Sequence, residues 1–95
     1  MTFVVLIAFT EKGIENIKAS PGRAAAFRSQ VEAAGGKVNQ VYWTVGRYDG
    51  VLVMDMPDTA KAAAVLLKVA SLGNVRTETL TAFDAKDFEQ ILQKV

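Results

Sequence analysis

The feature that most constrains the fold is a pair of β-forming runs joined by a glycine-rich turn. Residues 36–56 read GKVNQVYWTVGRYDGVLVMDM, with β-branched and aromatic residues on both sides of the GRYDG segment at 46–50. An Asp-Gly pair between two such runs is a strong hairpin signal, because both residues accept the backbone angles of a tight turn. The stretch therefore predicts two antiparallel strands, at about 37–45 and 51–56, on which the other elements are layered.

Two further strands and three helices follow from the rest of the chain. The apolar run at residues 2–10 does not alternate with polar residues, which predicts a strand covered on both faces. Residues 74–82 predict another strand, with one face carrying Val75, Thr77, Thr79 and Thr81 and the other carrying Arg76, Glu78, Leu80 and Ala82. Each predicted helix begins at a capping residue: one runs from Ser20-Pro21 to about Ala34, one from Asp58 or Thr59 to about Leu72, and one from Asp84 through Val95.

The faces of the strands decide their order in the sheet. The first and third strands are apolar on both faces and are predicted to be central, whereas the second and fourth carry polar residues and are predicted to be edges. On the second strand, one face is predicted to carry Asn39, Val41, Trp43 and Val45, and the other Val38, Gln40, Tyr42 and Thr44. The result is a single α+β domain over residues 1–95, a ferredoxin-like βαββαβ unit with an extra C-terminal helix and an antiparallel sheet of order 4-1-3-2.

The same faces predict an assembly. In this topology the helices cover one face of the sheet, and the other face is an apolar patch larger than monomers usually expose. Two sheets packed face to face would bury it at about 800 Å² per partner, so a homodimer or higher homo-oligomer is predicted. The helix at 59–72 supports this prediction because it is apolar nearly all round. Its predicted inward residues are Ala60, Ala63, Ala64, Leu67 and Ala70, and its predicted outward residues are Ala62, Val65, Leu66 and Val69.

Composition removes several classes of function. The chain has neither cysteine nor histidine, which excludes disulfides, cysteine nucleophiles and thiolate or imidazole ligands, and we predict no metal and no cofactor. Eleven basic and ten acidic residues give a net charge of +1, so no strong field attracts nucleic acid or an anionic membrane. The apolar run at 3–9 is too short to span a bilayer and lacks the basic flank of a signal peptide, so we expect a cytoplasmic protein.

The hairpin and its flanks resemble a known family. The segment VYWTVGRYDG at 41–50 looks like the signature of the GYD domain, named for its Gly-x-Tyr-Asp core. The likeness continues on both sides, at Thr10, Gly13, Ile17, Lys18, Ser20, Pro21 and Arg23 upstream and at residues 73–79 and Phe83 downstream. The resemblance covers nearly the whole chain. It implies a ferredoxin-like fold of the dimeric α/β-barrel kind in small bacterial proteins, and it supplies no catalytic residue.

The hairpin offers one candidate ligand site. Its candidate residues are Trp43, Arg47, Tyr48 and Asp49, together with Arg76 on the last strand. Arg47 could grip a carboxylate or another anion with its guanidinium while Tyr48 donates from its hydroxyl. The alternative, which we favour, is that these residues only form the turn. In that case the two glycines adopt positive φ, Asp49 bonds to its own backbone, and Tyr48 packs on the edge of the sheet.

Three other charged groups are candidates with simpler alternatives. Lys18 and Arg23 flank a helix N-terminus, where the backbone N–H groups could bind an anion. The favoured interpretation is simpler: two solvated basic residues beside an ordinary helix cap. Arg76 and Glu78 share one face of an edge strand and could pair across the strands or across a dimer interface. A cross-strand ion pair is the favoured interpretation. Asp55 interrupts an apolar strand, so it is expected either in water at the strand end or paired with a basic group.

Two classes of function remain open. The first is a non-enzymatic oligomer that binds a small anionic or apolar molecule, or a partner protein. The second is a cofactor-independent enzyme of the monooxygenase or isomerase type found on dimeric α/β barrels, an analogy at the level of fold. Its acid–base candidates are Tyr42, Tyr48, Asp49, Asp55 and Glu78. The two classes differ in whether polar groups converge on a pocket between helices and sheet, and we favour binding.

Overall fold

The predicted elements are present in their predicted order. The computed structural model describes residues 1–95, which form β1 (Thr2–Phe9), α1 (Glu11–Glu15), a 3₁₀ turn (Ile17–Ala19), α2 (Ser20–Ala33), β2 (Lys37–Trp43), β3 (Gly50–Asp55), α3 (Thr59–Ser71), β4 (Val75–Ala82) and α4 (Ala85–Leu92). The strands form one antiparallel sheet of order β2-β3-β1-β4, which is the predicted order read from the other edge. The fold is therefore α+β with β1 and β3 in the centre.

Helix ends follow the capping residues, with one exception. Asp58 accepts from the backbone N–H of Lys61 and Asp84 from that of Asp87, so both predicted caps are confirmed. Ser20 was expected to cap α2, but this expectation is wrong. The 3₁₀ turn runs directly into α2, so Ser20 already has helical angles (φ −56°, ψ −43°) and Ala19 takes the cap position. The Ser20 hydroxyl is consequently free to bond elsewhere.

The core lies between the helices and one face of the sheet. Its ten buried apolar residues are Phe3, Val5, Phe27, Val31, Val38, Leu52, Met54, Met56, Ala62 and Val65. On β1, Val5 is 1% exposed and faces the helices, while Leu6 is half-buried and faces the opposite way. We call that opposite side, which carries Val4, Leu6, Val51, Val53 and Leu80, the open face. No helix covers it.

A β-bulge changes the faces predicted for β2. Val38 lies opposite Met54 and Gln40 lies opposite Val53, so Asn39 is an extra residue in the strand. Val38 and Val41 therefore lie on the same, helix-covered side, although simple alternation assigned them to opposite faces. The predicted assignment is wrong because one inserted residue resets the period-2 pattern.

The burial of α3 is the reverse of the predicted one. Ala62 and Val65 are buried and Leu66 and Val69 pack against the core, whereas Leu67 is 71% exposed. The predicted inward alanines, Ala60, Ala63 and Ala64, are also exposed. Both stripes are apolar, and the stripe with the larger side chains is buried because it removes more apolar surface from water.

The chain is more extended than a compact domain of its size. Its accessible surface is 6327 Å², against roughly 5,300 Å² for a monomer of this mass. Its radius of gyration is 14.2 Å, against about 12.4 Å for 95 residues. Part of the difference comes from α4, which has no buried residue and leaves Phe88 and Leu92 about half exposed. None of the helices is long and apolar enough to traverse a membrane.

Candidate functional site

Asp49 fastens the hairpin loop to the central strand. Its backbone N–H donates to the Ile7 carbonyl at 2.8 Å, and its carboxylate accepts from the Phe9 N–H at 2.8 Å. Its carbonyl accepts from Thr44 N–H at 2.9 Å. The favoured turn interpretation expected Asp49 to bond to its own backbone. Instead the carboxylate bonds to β1, because Asp49 extends the pairing of β3 with β1 by one residue and so lies beside that strand.

Gly50, the glycine of the Asp-Gly pair, lies where two strands approach each other closely. Of the two glycines expected to have positive φ, Gly46 does (φ 156°) and Gly50 does not. Gly50 is buried, and a β-carbon there would lie 3.2 Å from the Tyr42 carbonyl oxygen. The Asp-Gly pair therefore starts β3 at a close approach of two strands and does not form a two-residue turn.

The side chains of Tyr48 and Arg47 lie on the same side of the sheet as the open face. The Tyr48 hydroxyl donates to the Glu78 carboxylate at 2.6 Å, and the Arg47 guanidinium lies 5.5 Å from the centre of the Tyr48 ring. This hydrogen bond, together with desolvation, raises the pKa of Tyr48 above 10.0. Glu78 is thus bonded to a hairpin tyrosine and not to a basic side chain of a neighbouring strand, so the predicted cross-strand ion pair is wrong. Pairing of Arg76 or Glu78 across a dimer interface stays a prediction.

The N-terminal end of α2 is held by side chains. The indole N–H of Trp43 donates to the Ser20 hydroxyl at 2.9 Å. Arg23 donates to the Asn16 carbonyl at 2.8 Å and lies 6.0 Å from the Phe9 ring centre. Lys18 is exposed in the preceding 3₁₀ turn. The anion site predicted from Lys18 and Arg23 stays a prediction, and the Arg23 guanidinium is already bonded to backbone carbonyls.

A cavity of about 290 Å³ lies between α2, α3 and the helix-covered side of the sheet. Most of its lining is apolar: Val5, Ile7, Phe9, Phe27, Val41, Leu52, Leu66 and Val69 are among its walls. This volume is near the lower end of the range for small-molecule sites. The cavity lies between helices and sheet, where the two classes of function differ in whether polar groups converge on the pocket.

The charged residues that line the cavity already have backbone partners. Lys12 donates to the Leu72 carbonyl at 2.9 Å, Arg23 donates to Asn16, and Asp49 accepts from Phe9. These three are the charged groups of the lining. Each of the three charged side chains is therefore held in place by at least one hydrogen bond to the backbone.

Gln30 is the polar exception. It lines the cavity, and its Oε1 is closed off from solvent without accepting any hydrogen bond. Buried acceptors without a donor are rare in folded proteins, so each one needs an explanation. Sequence reasoning missed Gln30, although its spacing from Arg23 and Phe27 (i, i+4, i+7) places the three on one stripe of α2.

Comparison with known proteins identifies the family. The sequence model of the GYD domain matches residues 3–92. The chain belongs to the GYD domain family. A curated relative from Thermus thermophilus, the "Glutamine synthetase and cystathionine beta-lyase binding protein", is 36% identical over 87 residues, covering 90% of this chain and 92% of its own.

Solved structures place this GYD domain among ferredoxin-like proteins. The protein TTHA0845 from Thermus thermophilus is 30% identical, with a TM-score of 0.56 over 88% of this chain and 94% of its own. A second match is the 5-chloro-2-hydroxyhydroquinone dehydrochlorinase of Burkholderia phenoliruptrix AC1100, solved with 2,5-dihydroxybenzoquinone. Its TM-score is 0.65 at 12% identity, and the match covers 90% of this chain and 97% of that enzyme. The leucine response regulatory protein of Mycobacterium tuberculosis has a TM-score of 0.57 at 15% identity, and the match covers 88% of this chain and 51% of that protein. At these low identities the last two support the fold alone.

The GYD domain divides its candidate site residues between two sides of the sheet. Trp43, Asp49 and Arg23 line the cavity, whereas Arg47, Tyr48 and Arg76 do not. Arg76 lies on the open face, opposite Ala8 of β1. A single pocket containing all the hairpin candidates is therefore absent, and the anion-binding role of Arg47 and Tyr48 stays a prediction.

Among the acid–base candidates of this GYD domain, Tyr48 and Glu78 are hydrogen-bonded to each other outside the cavity, whereas Asp55 and Tyr42 have partners elsewhere. Asp55 lies at the far end of β3, where Thr2 and Asn39 donate to it at 2.6 and 2.8 Å, and these bonds lower the pKa of its carboxyl. Asp55 thus lies at the strand end, as expected, and neutral polar groups rather than a basic side chain bond to its carboxylate. Tyr42 donates to Gln40 at 2.9 Å. No cluster of acidic side chains has an arrangement suited to a metal ion.

Proposed function

We propose that this GYD domain is a cytoplasmic binding protein that holds a small apolar molecule in the cavity between α2, α3 and the sheet. The observation that carries the proposal is the cavity itself, about 290 Å³ with mainly hydrophobic walls. A concave apolar site of this kind gains affinity from burying the ligand's surface.

A cavity-filling substitution tests the proposal. Ala24 lines the cavity on α2, so Ala24→Phe should fill part of it, while Ala33→Phe makes the same change at an exposed position of the same helix. We expect indole and toluene to raise the melting temperature of the unmodified protein and of Ala33→Phe, but not that of Ala24→Phe. If neither compound stabilises the unmodified protein at millimolar concentration, the cavity is not a ligand site for such molecules.

We also propose that the working unit is a homodimer in which a second copy covers the open face. The excess of about 1,000 Å² of surface over a compact monomer is close to the area that one partner buries in a stable interface. The open face presents the half-buried Val4, Leu6, Val51 and Val53 together with Leu80, which is 49% exposed. The half-exposed apolar residues of α4 would add to the buried area.

A second candidate function is the binding of another protein. The relative from Thermus thermophilus is named as a binding protein of glutamine synthetase and cystathionine beta-lyase. In this chain the exposed apolar side of α3, with Leu67 71% exposed, would be a surface for such a partner. Biolayer interferometry against both enzymes from the same genome tests it. Binding that survives Leu67→Glu would assign the contact to another surface, and no binding to either enzyme would reject the candidate.

A further inference from the structure

Two cationic side chains line one end of the cavity. Lys12 of α1 and Arg23 of α2 both form part of its walls, together with Phe9 at the end of β1. The Arg23 guanidinium donates to the Asn16 carbonyl at 2.8 Å and to the Gly13 carbonyl at 3.4 Å, so it lies against α1. The two positive charges are therefore both next to α1, at one end of a cavity whose walls are otherwise mainly apolar.

Neither cation is bonded to an acidic side chain. Lys12 Nζ donates to the Leu72 carbonyl at 2.9 Å, and both hydrogen bonds of Arg23 also go to backbone carbonyls. An ammonium has three N–H donors and a guanidinium has five, so both groups keep donors for a ligand. The carbonyls hold the two side chains in place, but they carry no net charge that would cancel the positive ones.

Asp49, the third charged residue of the lining, leaves the walls positive overall. It lies on the sheet side of the cavity, where its carboxylate accepts from the Phe9 N–H at 2.8 Å. Two cations and one anion give the walls a net charge of +1. Arg23 also lies in the first turn of α2, where the positive end of the helix dipole adds to its charge. A single negative charge on the ligand would balance these walls.

Resting on the proposed function, in which the cavity holds a mainly apolar molecule, we infer that this ligand is an aromatic monocarboxylic acid whose carboxylate is bound by Lys12 and Arg23 at the α1 end. A guanidinium suits a carboxylate because it can donate two parallel N–H bonds to it. One carboxylate matches the net charge of the walls, whereas a phosphate monoester, with a charge of about −1.5 to −2, exceeds it.

The exposure of the lining residues suits a ligand with one polar end. Lys12 is exposed and Arg23 is half-buried, whereas Phe27, one turn further along α2, is buried. A carboxylate beside Lys12 and Arg23 would keep part of its hydration, so its transfer from water costs less than full burial would. The apolar body of the ligand would then extend inward along α2.

The size of the apolar body follows from the volume. A dry cavity of about 150 Å³ lined by Leu, Ile and Phe holds benzene. The cavity here is about 290 Å³, and its walls include aromatic rings from Phe9, Phe27 and Trp43. We therefore expect an apolar body of two fused rings, whose faces would pack against these walls.

Three indoles of similar size and different charge test the inference. Isothermal titration at neutral pH would measure the anion indole-3-acetate, the neutral indole-3-acetamide and the cation tryptamine. We expect indole-3-acetate to bind the unmodified protein about tenfold more tightly than the amide, and tryptamine to bind least tightly. Ala24→Phe, which fills part of the cavity, should abolish the binding of all three compounds.

A lysine substitution with a matched control assigns the carboxylate contact. Lys12→Met removes one positive charge and nearly keeps the length of the side chain, so the preference for indole-3-acetate over the amide should fall to about two- to threefold. Lys61→Met makes the same change at an exposed lysine of α3 that does not line the cavity, and it should retain the tenfold preference.

A variant-free measurement is available should Lys12→Met fail to fold. Indole-3-acetate labelled at its carboxyl carbon can be titrated by NMR in complex with the unmodified protein. The two cations should lower the pKa of the bound carboxyl below that of the free acid, because they stabilise its ionised form. A bound pKa equal to or above the free value would overturn the inference.

The outcomes separate this inference from the proposed function. Equal affinities of indole-3-acetate and its amide, or tightest binding by tryptamine, would overturn the carboxylate and leave the cavity as a ligand site. An unchanged preference in Lys12→Met would overturn the role of that residue. Binding of indole-3-acetate that persists in Ala24→Phe would place the anion outside the cavity and overturn the inference. Failure of all three compounds to bind would overturn the cavity proposal and this inference with it.

Discussion

The indole N–H of Trp43 and the hydroxyl of Ser20 form a 2.9 Å hydrogen bond between the edge strand β2 and the first turn of α2. Ser20 is 7% exposed, whereas the Trp43 side chain is about half exposed. The bond is available because Ser20 lies inside the helix and is not needed as its cap. It connects the hairpin to the helix that supplies one wall of the cavity.

This bond should make the two residues energetically coupled. Ser20→Ala leaves the indole donor without its partner and Trp43→Phe leaves the buried hydroxyl without its donor, so each should lower the free energy of unfolding by about 1–2 kcal/mol. The double variant should cost less than the sum by about 1 kcal/mol, because both single changes remove the same bond. Urea denaturation of the four proteins measures the coupling. Strict additivity would mean that the bond contributes nothing to stability.

The fold was largely predictable because its signals are local or periodic. The capping residues Asp58 and Asp84 and the apolar runs of the central strands fix where elements begin and which strands are inside. The errors have a common cause in packing between distant parts of the chain. The extra residue at Asn39 reverses the faces of β2, and which of two apolar stripes of α3 is buried depends on the volume it fills.

The candidate site was less predictable because it depends on contacts far apart in sequence. Asp49 and Tyr48 were recognised as notable, but their partners, Phe9 and Glu78, lie 40 and 30 residues away. Gln30 has no local signal beyond its helical spacing, because an orphaned acceptor is defined by what surrounds it. A sequence pattern shows which residues can bond but not which are left without a partner.

Asp49 should be important for stability through its contact with β1. Asp49→Ala leaves the Phe9 N–H without its acceptor and loosens the connection at 44–49, so we expect a loss of about 1–3 kcal/mol in the free energy of unfolding. Asp49→Asn keeps a carbonyl oxygen at the same place and should lose less. Thermal and urea denaturation compare the variants. Equal losses for Ala and Asn would indicate that the negative charge, and not the hydrogen bond, is what matters.

Asp55 should make stability depend on pH in the acid range. Bonds from Thr2 and Asn39 lower the pKa of the folded carboxyl below 3.8, its ordinary value. The contribution to stability is therefore fully present above about pH 4 and is lost as the pH falls through the lower, folded pKa. The difference in unfolding free energy between the unmodified protein and Asp55→Asn should be constant from pH 5 to 7 and should change on acidification. A carboxyl carbon titration by NMR with a midpoint at or above 3.8 would contradict this.

The open face should control assembly through Leu6. In light scattering after size exclusion, we expect the unmodified protein to be a dimer and Leu6→Lys to be a folded monomer. A lysine there would lose its hydration in the interface, a cost that its cross-strand neighbour Glu78 offsets only in part. Val5→Lys places the same charge on the opposite side of the strand, in the core, and should instead unfold the chain, at a cost of several kcal/mol. Leu67→Lys, on the outer side of α3, is the matched control and should remain dimeric. A Leu6→Lys protein with the mass and stability of the unmodified one would show that no second copy covers this face.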